Sequence, residues 1–224
     1  MYRENFAFEN YYHIFNRGLD KRNLFLERKD YSRFIRSLYY FNDINFLPNN
    51  FDYEEQILIN NPSRKEMVEI LAWCLMPNHF HLILSPKIKS GITKFMRRLG
   101  TGYTMYTNIK YKRSGHVFQG PFKAKHIKDN EYLQHLTRYI HLNPLKLIDP
   151  NWEEKGVKNV KTSKNFIIAY PWSSLGDYLG KKRFPEIIND IPEIIFTKDK
   201  SKYGNFLWEW LGKGIPLELD CIKF

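Results

Sequence analysis

Cysteine is nearly absent, with only Cys74 and Cys221 in 224 residues. They make no disulfide framework and no Cys-x-x-Cys motif, and Cys74, inside an apolar run, reads as a buried reduced thiol. Acidic side chains are missing from one long window, since none occurs between Glu69 and Asp129. Long apolar runs are missing too. No segment approaches the ~18 uninterrupted apolar residues of a membrane span, and Met1–Phe6 lacks the apolar core of a signal peptide. The expectation is a soluble intracellular protein with no membrane partner. Internal repeats and low-complexity tracts are also lacking, which excludes a solenoid.

What is present is an ample core, with 43% apolar and 17% aromatic residues, and a net charge of +11. A globular chain this basic faces a polyanion. The acid-free window carries eleven lysines and arginines, among them Arg97, Arg98, Lys110, Lys112, Arg113, Lys123 and Lys125. Tyr103, Tyr106, Tyr111, Phe118 and Phe122 are interleaved with them. Cations neutralise phosphates and aromatic faces stack on unpaired bases, so the mixture suits single-stranded or hairpin nucleic acid. A shorter run of charge would read simply as a solvated face.

Periodicity places the elements. Residues 11–16 have strand character and Arg17–Asp20 that of a turn. Asp30 is placed to cap a helix over 31–41, where Phe34, Ile35, Leu38 and Phe41 recur at helical spacing. Residues 42–66 read as a long excursion with one helical turn near 54–59. Apolar runs at 71–76 and 79–84, split by Pro77-Asn78, read as a hairpin. A helix over 90–108 carries Gly100 and Gly102, which predict a kink. Residues 116–127 read as an irregular strand broken at Gly120-Pro121. Asp129 caps a helix over 130–143 that Pro144 stops. Residues 145–166 read as polar loop, 173–179 as a short helix, and 184–211 as two more, the last bearing Phe206, Trp208 and Trp210. The order β, α, β, β, α, β, α predicts an α+β fold. It is a ferredoxin-like (split βαβ) antiparallel sheet with helices on one face and a mostly helical C-terminal extension.

The candidate chemistry starts at His79 and His81. Two residues apart on a strand, their imidazoles project to one face and form half of a metal site. An isolated His-x-His is more often a pair of half-buried strand histidines. The helix over 130–143 offers the other half, because His135, Tyr139 and Asn143 share a face at four-residue spacing. Tyr139 is a candidate nucleophile beside a divalent metal, and Asn143 a candidate amide-oxygen ligand for Mg²⁺ or Mn²⁺. Most helix tyrosines are packing residues. A zinc hydrolase built on the same histidines lacks a third His, Cys or carboxylate in the window.

The run Met76-Pro-Asn-His-Phe-His-Leu-Ile-Leu84 resembles the His-hydrophobic-His signature of the HUH endonucleases, in their small single-tyrosine transposase branch. Asn16–Phe25, Gly115–Lys125, Arg138-Tyr-Ile-His-Leu-Asn-Pro144 and the Tyr170-Pro-Trp-Ser-Ser174 turn are similar to stretches of the REP-associated tyrosine transposases, in order over about 11–175. The resemblance implies an HUH-type catalytic and DNA-binding domain over 1–145, with residues 146–224 as an extension packed on the core. It implies Mg²⁺ or Mn²⁺ held by His79, His81 and Asn143, in a position often occupied by Gln in related insertion-sequence transposases. It further implies Tyr139 as the nucleophile that cleaves single-stranded DNA beside a hairpin through a 5′-phosphotyrosine. Arg97, Arg98, Lys110, Lys112 and Arg113 would contact backbone and hairpin, with Lys123 and Lys125 nearer the cleaved strand. Exchange of the tyrosine helix between two copies would make a homodimer. The competing expectation is a non-catalytic nucleic-acid binder that keeps the fold.

Overall fold

The computed structural model describes residues 6–46, 63–181, 183–184, 186–188 and 200–216; the expected helical turn near 54–59 and Cys221 lie outside them. In chain order the elements are β1 (Tyr11–Arg17), α1 (Arg28–Tyr40), β2 (Val68–Met76), β3 (His79–Pro86), α2 (Gly91–Lys110), β4 (Lys123–Ile127) and α3 (Asn130–Leu142). There follow a 3₁₀ turn (Asn143–Leu147), α4 (Trp152–Lys155), α5 (Val160–Ala169), α6 (Leu175–Tyr178) and α7 (Lys200–Lys213). The four strands form one sheet in the order β2-β3-β1-β4. That order is the one a split βαβ arrangement produces, and the α+β expectation holds.

By density of contacts the chain divides into two compact units, Met1–Ile70 with Pro77–His126, and Leu71–Met76 with Ile127–Phe224. In the first unit β1 pairs antiparallel with β3, setting Phe15 opposite His81 and Arg17 opposite His79. Opposed residues share a face, so 13, 15, 17, 79, 81 and 83 line one side of this pair and 12, 14, 80, 82 and 84 the other. On the second side Phe80 meets Phe34 of α1 (ring centroids 5.1 Å apart), and Phe34 meets Tyr103 of α2 edge-on. Leu38, Phe95 and Leu99 are buried in the same unit. Both helices thus cover the Phe80 face, as helices on one face of a sheet require.

Two local expectations change. Asp30 is not the N-cap of α1; Glu27 is, and Asp30, three residues in, closes a reciprocal capping box with it. The helix therefore begins a turn earlier than expected. α2 runs unbroken through both glycines. A Cβ on Gly102 would stand 2.5 Å from Phe41 Cε2, so this glycine serves close helix packing and not a kink.

The second unit has its own logic. β2 is an outer strand, and an open strand edge is a liability unless something covers it. Here the 172–174 segment does so. Leu75 N–H donates to the Trp172 carbonyl (2.9 Å), Ser174 N–H to the Trp73 carbonyl (3.0 Å), and Trp73 N–H to Ser174 Oγ (2.9 Å). The hydroxyls of Tyr170 and Tyr178 donate to the carbonyls of Leu75 (2.7 Å) and Leu71 (2.9 Å). Cys74 is buried there as a free thiol, its pKa pushed up by burial. Residues 145–166 are not all loop, because Asn159 caps α5 by accepting from Thr162 N–H at 2.9 Å. Only Ser163 and Ile167 of α5 are buried, too few to leave a helical hydrophobic period.

Asp30 ties the first unit together. Its side chain is fully buried and accepts from Lys110 (2.6 Å), Tyr111 (2.7 Å), Tyr106 (2.9 Å) and the backbone N–H of Leu26 (2.8 Å). Burial alone would raise its pKa, but these donors outweigh it and hold the carboxyl below its ordinary value. Its stabilising contribution is therefore complete above the ordinary carboxylate pKa and disappears as pH falls through the lowered folded value. Asp30→Ala should cost about 3–5 kcal/mol, as removal of one partner of a buried ion pair does. Urea unfolding at pH 7 and pH 3 checks both points: the gap between wild type and variant should narrow at the lower pH.

Candidate active site and nucleic-acid interface

The loop that carries the histidines is seated from below. Gly18 N–H donates to the Asn78 carbonyl (2.8 Å), and Leu24 and Phe25 N–H groups both donate to the Pro77 carbonyl (2.7 and 3.1 Å). The 16–25 and 76–84 motifs, far apart in sequence, are therefore one backbone-bonded piece. From that turn His79 and His81 project to one side of β3, as their spacing predicts, with ring centroids 5.0 Å apart. His79 is half-buried and His81 is 2% exposed.

Each imidazole is engaged through the same atom. His79 Nδ1 bonds Asn78 Oδ1 at 2.7 Å, which makes it the donor and leaves the lone pair on Nε2. His81 Nδ1 lies 2.9 Å from Nε2 of His13, a fully buried histidine on β1 whose ring stacks on it with centroids 5.1 Å apart. Burial, and then the charge of Lys125, push the His13 pKa down to about 3, so its ring is neutral at physiological pH. A pair of imidazoles oriented through Nδ1 is a donor set that suits a divalent metal. Among the described residues no three His, Cys, Asp or Glu side chains gather into a metal-binding group.

The cations of the acid-free window are distributed unevenly. Arg97, Lys112 and Lys123 are exposed, and Arg98, Arg113 and Lys125 are half-buried. Arg98 donates to the Asp43 carbonyl (2.6 Å) and Arg113 to that of His116 (3.3 Å). Lys110 is committed inward to Asp30, Glu27 and Tyr106, and those hydrogen bonds raise its pKa against the opposing pull of burial. Sequence reasoning did not foresee two clefts. One, of about 800 Å³, lies along α1 and α2 and is lined by Arg33, Arg97, Arg98, Met105 and Tyr106. The other, about 610 Å³, has Asn16, Arg97, His116, Phe118 and Phe122 on its walls. Arg97 lines both. His126 bonds Asn10 (3.2 Å), and His116 is exposed.

In the second unit Asp129 caps α3, accepting from Tyr132 N–H at 2.7 Å. Tyr139 is fully buried on that helix, and Lys146 Nζ donates to its hydroxyl at 3.4 Å while pairing with Glu153 at 2.9 Å. Asn143 is buried at the C-cap, where Pro144 turns the chain into the 3₁₀ turn. The His135 ring stacks on that of Trp210, with centroids 5.6 Å apart. Two residues of this helix were missed as structural anchors. Arg138, 2% exposed, lies 3.3 Å over the Phe206 ring and pairs with Glu209 at 3.0 Å. His141 bonds Ser174 Oγ at 2.8 Å on one side and the Tyr203 hydroxyl on the other. The tryptophan-rich α7 is the only sequence signal for this clamp.

Comparison with known proteins comes down to a family and a fold. Residues 45–143 match the family model described as Transposase IS200 like, so the chain resembles these transposases across the segment that contains both histidines and Tyr139. A solved structure of a REP-associated tyrosine transposase bound to a REP hairpin is similar at 16% identity and a TM-score of 0.54. It covers 86% of this chain and 93% of that one. At that identity the likeness establishes the fold. No curated protein sequence matches.

Arg138→Ala should lower the stability of the second unit by about 2–4 kcal/mol, through lost packing on Phe206 and Trp210 more than lost charge. Glu209→Gln, whose carboxylate is 68% exposed, should cost under about 1 kcal/mol. Thermal unfolding with hydrogen exchange of the α3 amides measures both.

Proposed function

We propose that the chain is a transposase-like, metal-dependent single-strand DNA endonuclease and strand transferase that cleaves beside a hairpin. The observation that carries this reading is the His79–His81 pair, each ring oriented through Nδ1, in a unit that holds most of the basic side chains of the acid-free window. The similar solved transposase, bound to its hairpin, supports hairpin DNA as the partner. The site of action would be cytoplasmic DNA, the nucleoid.

In this reading His79, His81 and Asn143 would hold one Mg²⁺ or Mn²⁺, which would supply Lewis-acid polarisation of the scissile phosphate. Tyr139 supplies the nucleophile. Its oxygen forms a bond to phosphorus as the bond to the 3′-oxygen breaks; the phenol proton leaves to solvent and the 3′-oxygen gains one. The products are a 5′-phosphotyrosine and a free 3′-hydroxyl. The ester conserves the phosphodiester bond, so reversal onto another 3′-hydroxyl rejoins DNA without ATP. Arg97, Arg98, Lys112, Arg113, Lys123 and Lys125 contact phosphates, while Lys110 keeps its place on Asp30. The alternative assembly is a homodimer with exchanged tyrosine helices: full activity of a monomer by light scattering would exclude it, and activity found only in a dimer would support it.

One observation favours a second reading, a hairpin-binding protein without turnover: the Tyr139 side chain is fully buried. Labelled hairpins with single-stranded flanks, incubated with Mn²⁺ and run on a denaturing gel, separate the two. Cleavage chemistry gives a labelled protein band that is absent with Tyr139→Phe. Binding without any band in either protein selects the second reading, and cleavage that persists in Tyr139→Phe means another nucleophile. In the same system, replacing Lys112 and Lys123 by Gln should flatten the salt dependence of log affinity by roughly 0.7 per lost phosphate contact. Lys110→Gln should act mainly on stability.

A further inference from the structure

The bond between His13 and His81 has two possible polarities, and they are not equivalent. If His13 Nε2–H donates, the His81 Nδ1 lone pair is consumed and the neutral His81 ring carries its proton on Nε2. Neither nitrogen of His81 then has a lone pair for a metal. If His81 Nδ1–H donates, Nε2 carries the lone pair, and His13 carries its own proton on Nδ1. Only the second polarity makes His79 and His81 a matched pair, because the bond to Asn78 already gives His79 that tautomer.

We infer that His13 is a positioning residue: its Nε2 accepts the His81 Nδ1 proton and so fixes His81 in the tautomer that presents Nε2 to a divalent cation. The inference rests on the metal site proposed above. The geometry brings the two nitrogens within hydrogen-bond distance. His13 sits on β1 two residues before Phe15, which faces His81 across the ladder, so the two imidazoles are diagonal neighbours on one face. They meet at 2.9 Å with their rings 24° from parallel. Phe15 flanks both, its ring centroid 4.9 Å from that of His13 and 6.1 Å from that of His81. A ring 0% exposed, stacked on one side and carried by a central strand, has little freedom to turn. Partners of this kind fix ligand orientation, and their loss commonly weakens metal binding by about 10–100-fold.

The test uses the full chain without DNA. Long-range ¹H–¹⁵N correlations on the metal-free protein read the His81 tautomer directly, and Mn²⁺ titration followed by electron paramagnetic resonance reads affinity. Wild type should show His81 protonated on Nδ1. His13→Phe, which keeps a stacked ring but has no acceptor, should weaken Mn²⁺ binding about 10-fold or more. His13→Gln, whose amide oxygen can accept, should recover most of it. His81 protonated on Nε2 in the wild type would overturn the inference, as would unchanged Mn²⁺ affinity in a folded His13→Phe protein. If His13→Phe does not fold, the wild-type spectrum and His13→Gln still decide it: a loss with Gln as large as that from His81→Ala refutes the acceptor role. A wild type that shows Nδ1–H yet binds no Mn²⁺ would refute the metal site and leave the tautomer assignment standing.

Discussion

The antiparallel pairing of β1 with β3 is the constraint on which the first unit depends. Its register sends alternate residues to opposite sides. Phe80 and Leu82 are delivered to the helices, while His13, His79 and His81 are delivered together to the other face. A one-residue slip would exchange the two sets, placing imidazoles against Phe34 and a phenyl ring on the face that now carries the three histidines. The Gly18-to-Asn78 and Leu24-to-Pro77 bonds lock the turn at the end of the ladder. The motifs at 16–25 and 76–84 are thus two halves of one device for holding that register.

A second dependence runs through the C-terminal part. An outer strand and a helix with a polar inner side both need partners, and the segment beyond Pro144 provides them. Ser174 is the hinge of this arrangement, since it bonds the backbone of Trp73 and the ring of His141 at once. The helix that carries Tyr139 is therefore tied both to β2 and, through Arg138 and His141, to α7. Such ties hold the Tyr139 side chain in place within the second unit.

Charge alone did not distinguish the functions of the basic residues. Lys110 and Lys112 are two positions apart in the same acid-free window, yet one neutralises a buried carboxylate and the other faces solvent. The lack of acidic residues between Glu69 and Asp129 hides that Asp30 and Glu27, far back in the chain, supply a counter-charge locally.

Much of the fold was legible in sequence order because its signals are local. Short apolar runs split by Pro77-Asn78 marked the 71–84 hairpin, and period-3.6 runs marked α1 and α2. Asp129 and Pro144 bracketed α3. The spacing of His79 and His81 determined that they share a face whatever the tertiary structure. Other features depended on groups distant in the chain. The Gly102 contact with Phe41, the enlistment of Lys110 by Asp30, the covering of the β2 edge by Trp172–Ser174 and the Arg138 clamp all join residues dozens of positions apart. So does the His13–His81 bond. His13 reads locally as one more residue in an aromatic strand. Only the pairing of β1 with β3 sets its nitrogen against that of His81, because side-chain chemistry is written along the chain but hydrogen-bond partners are assigned by folding.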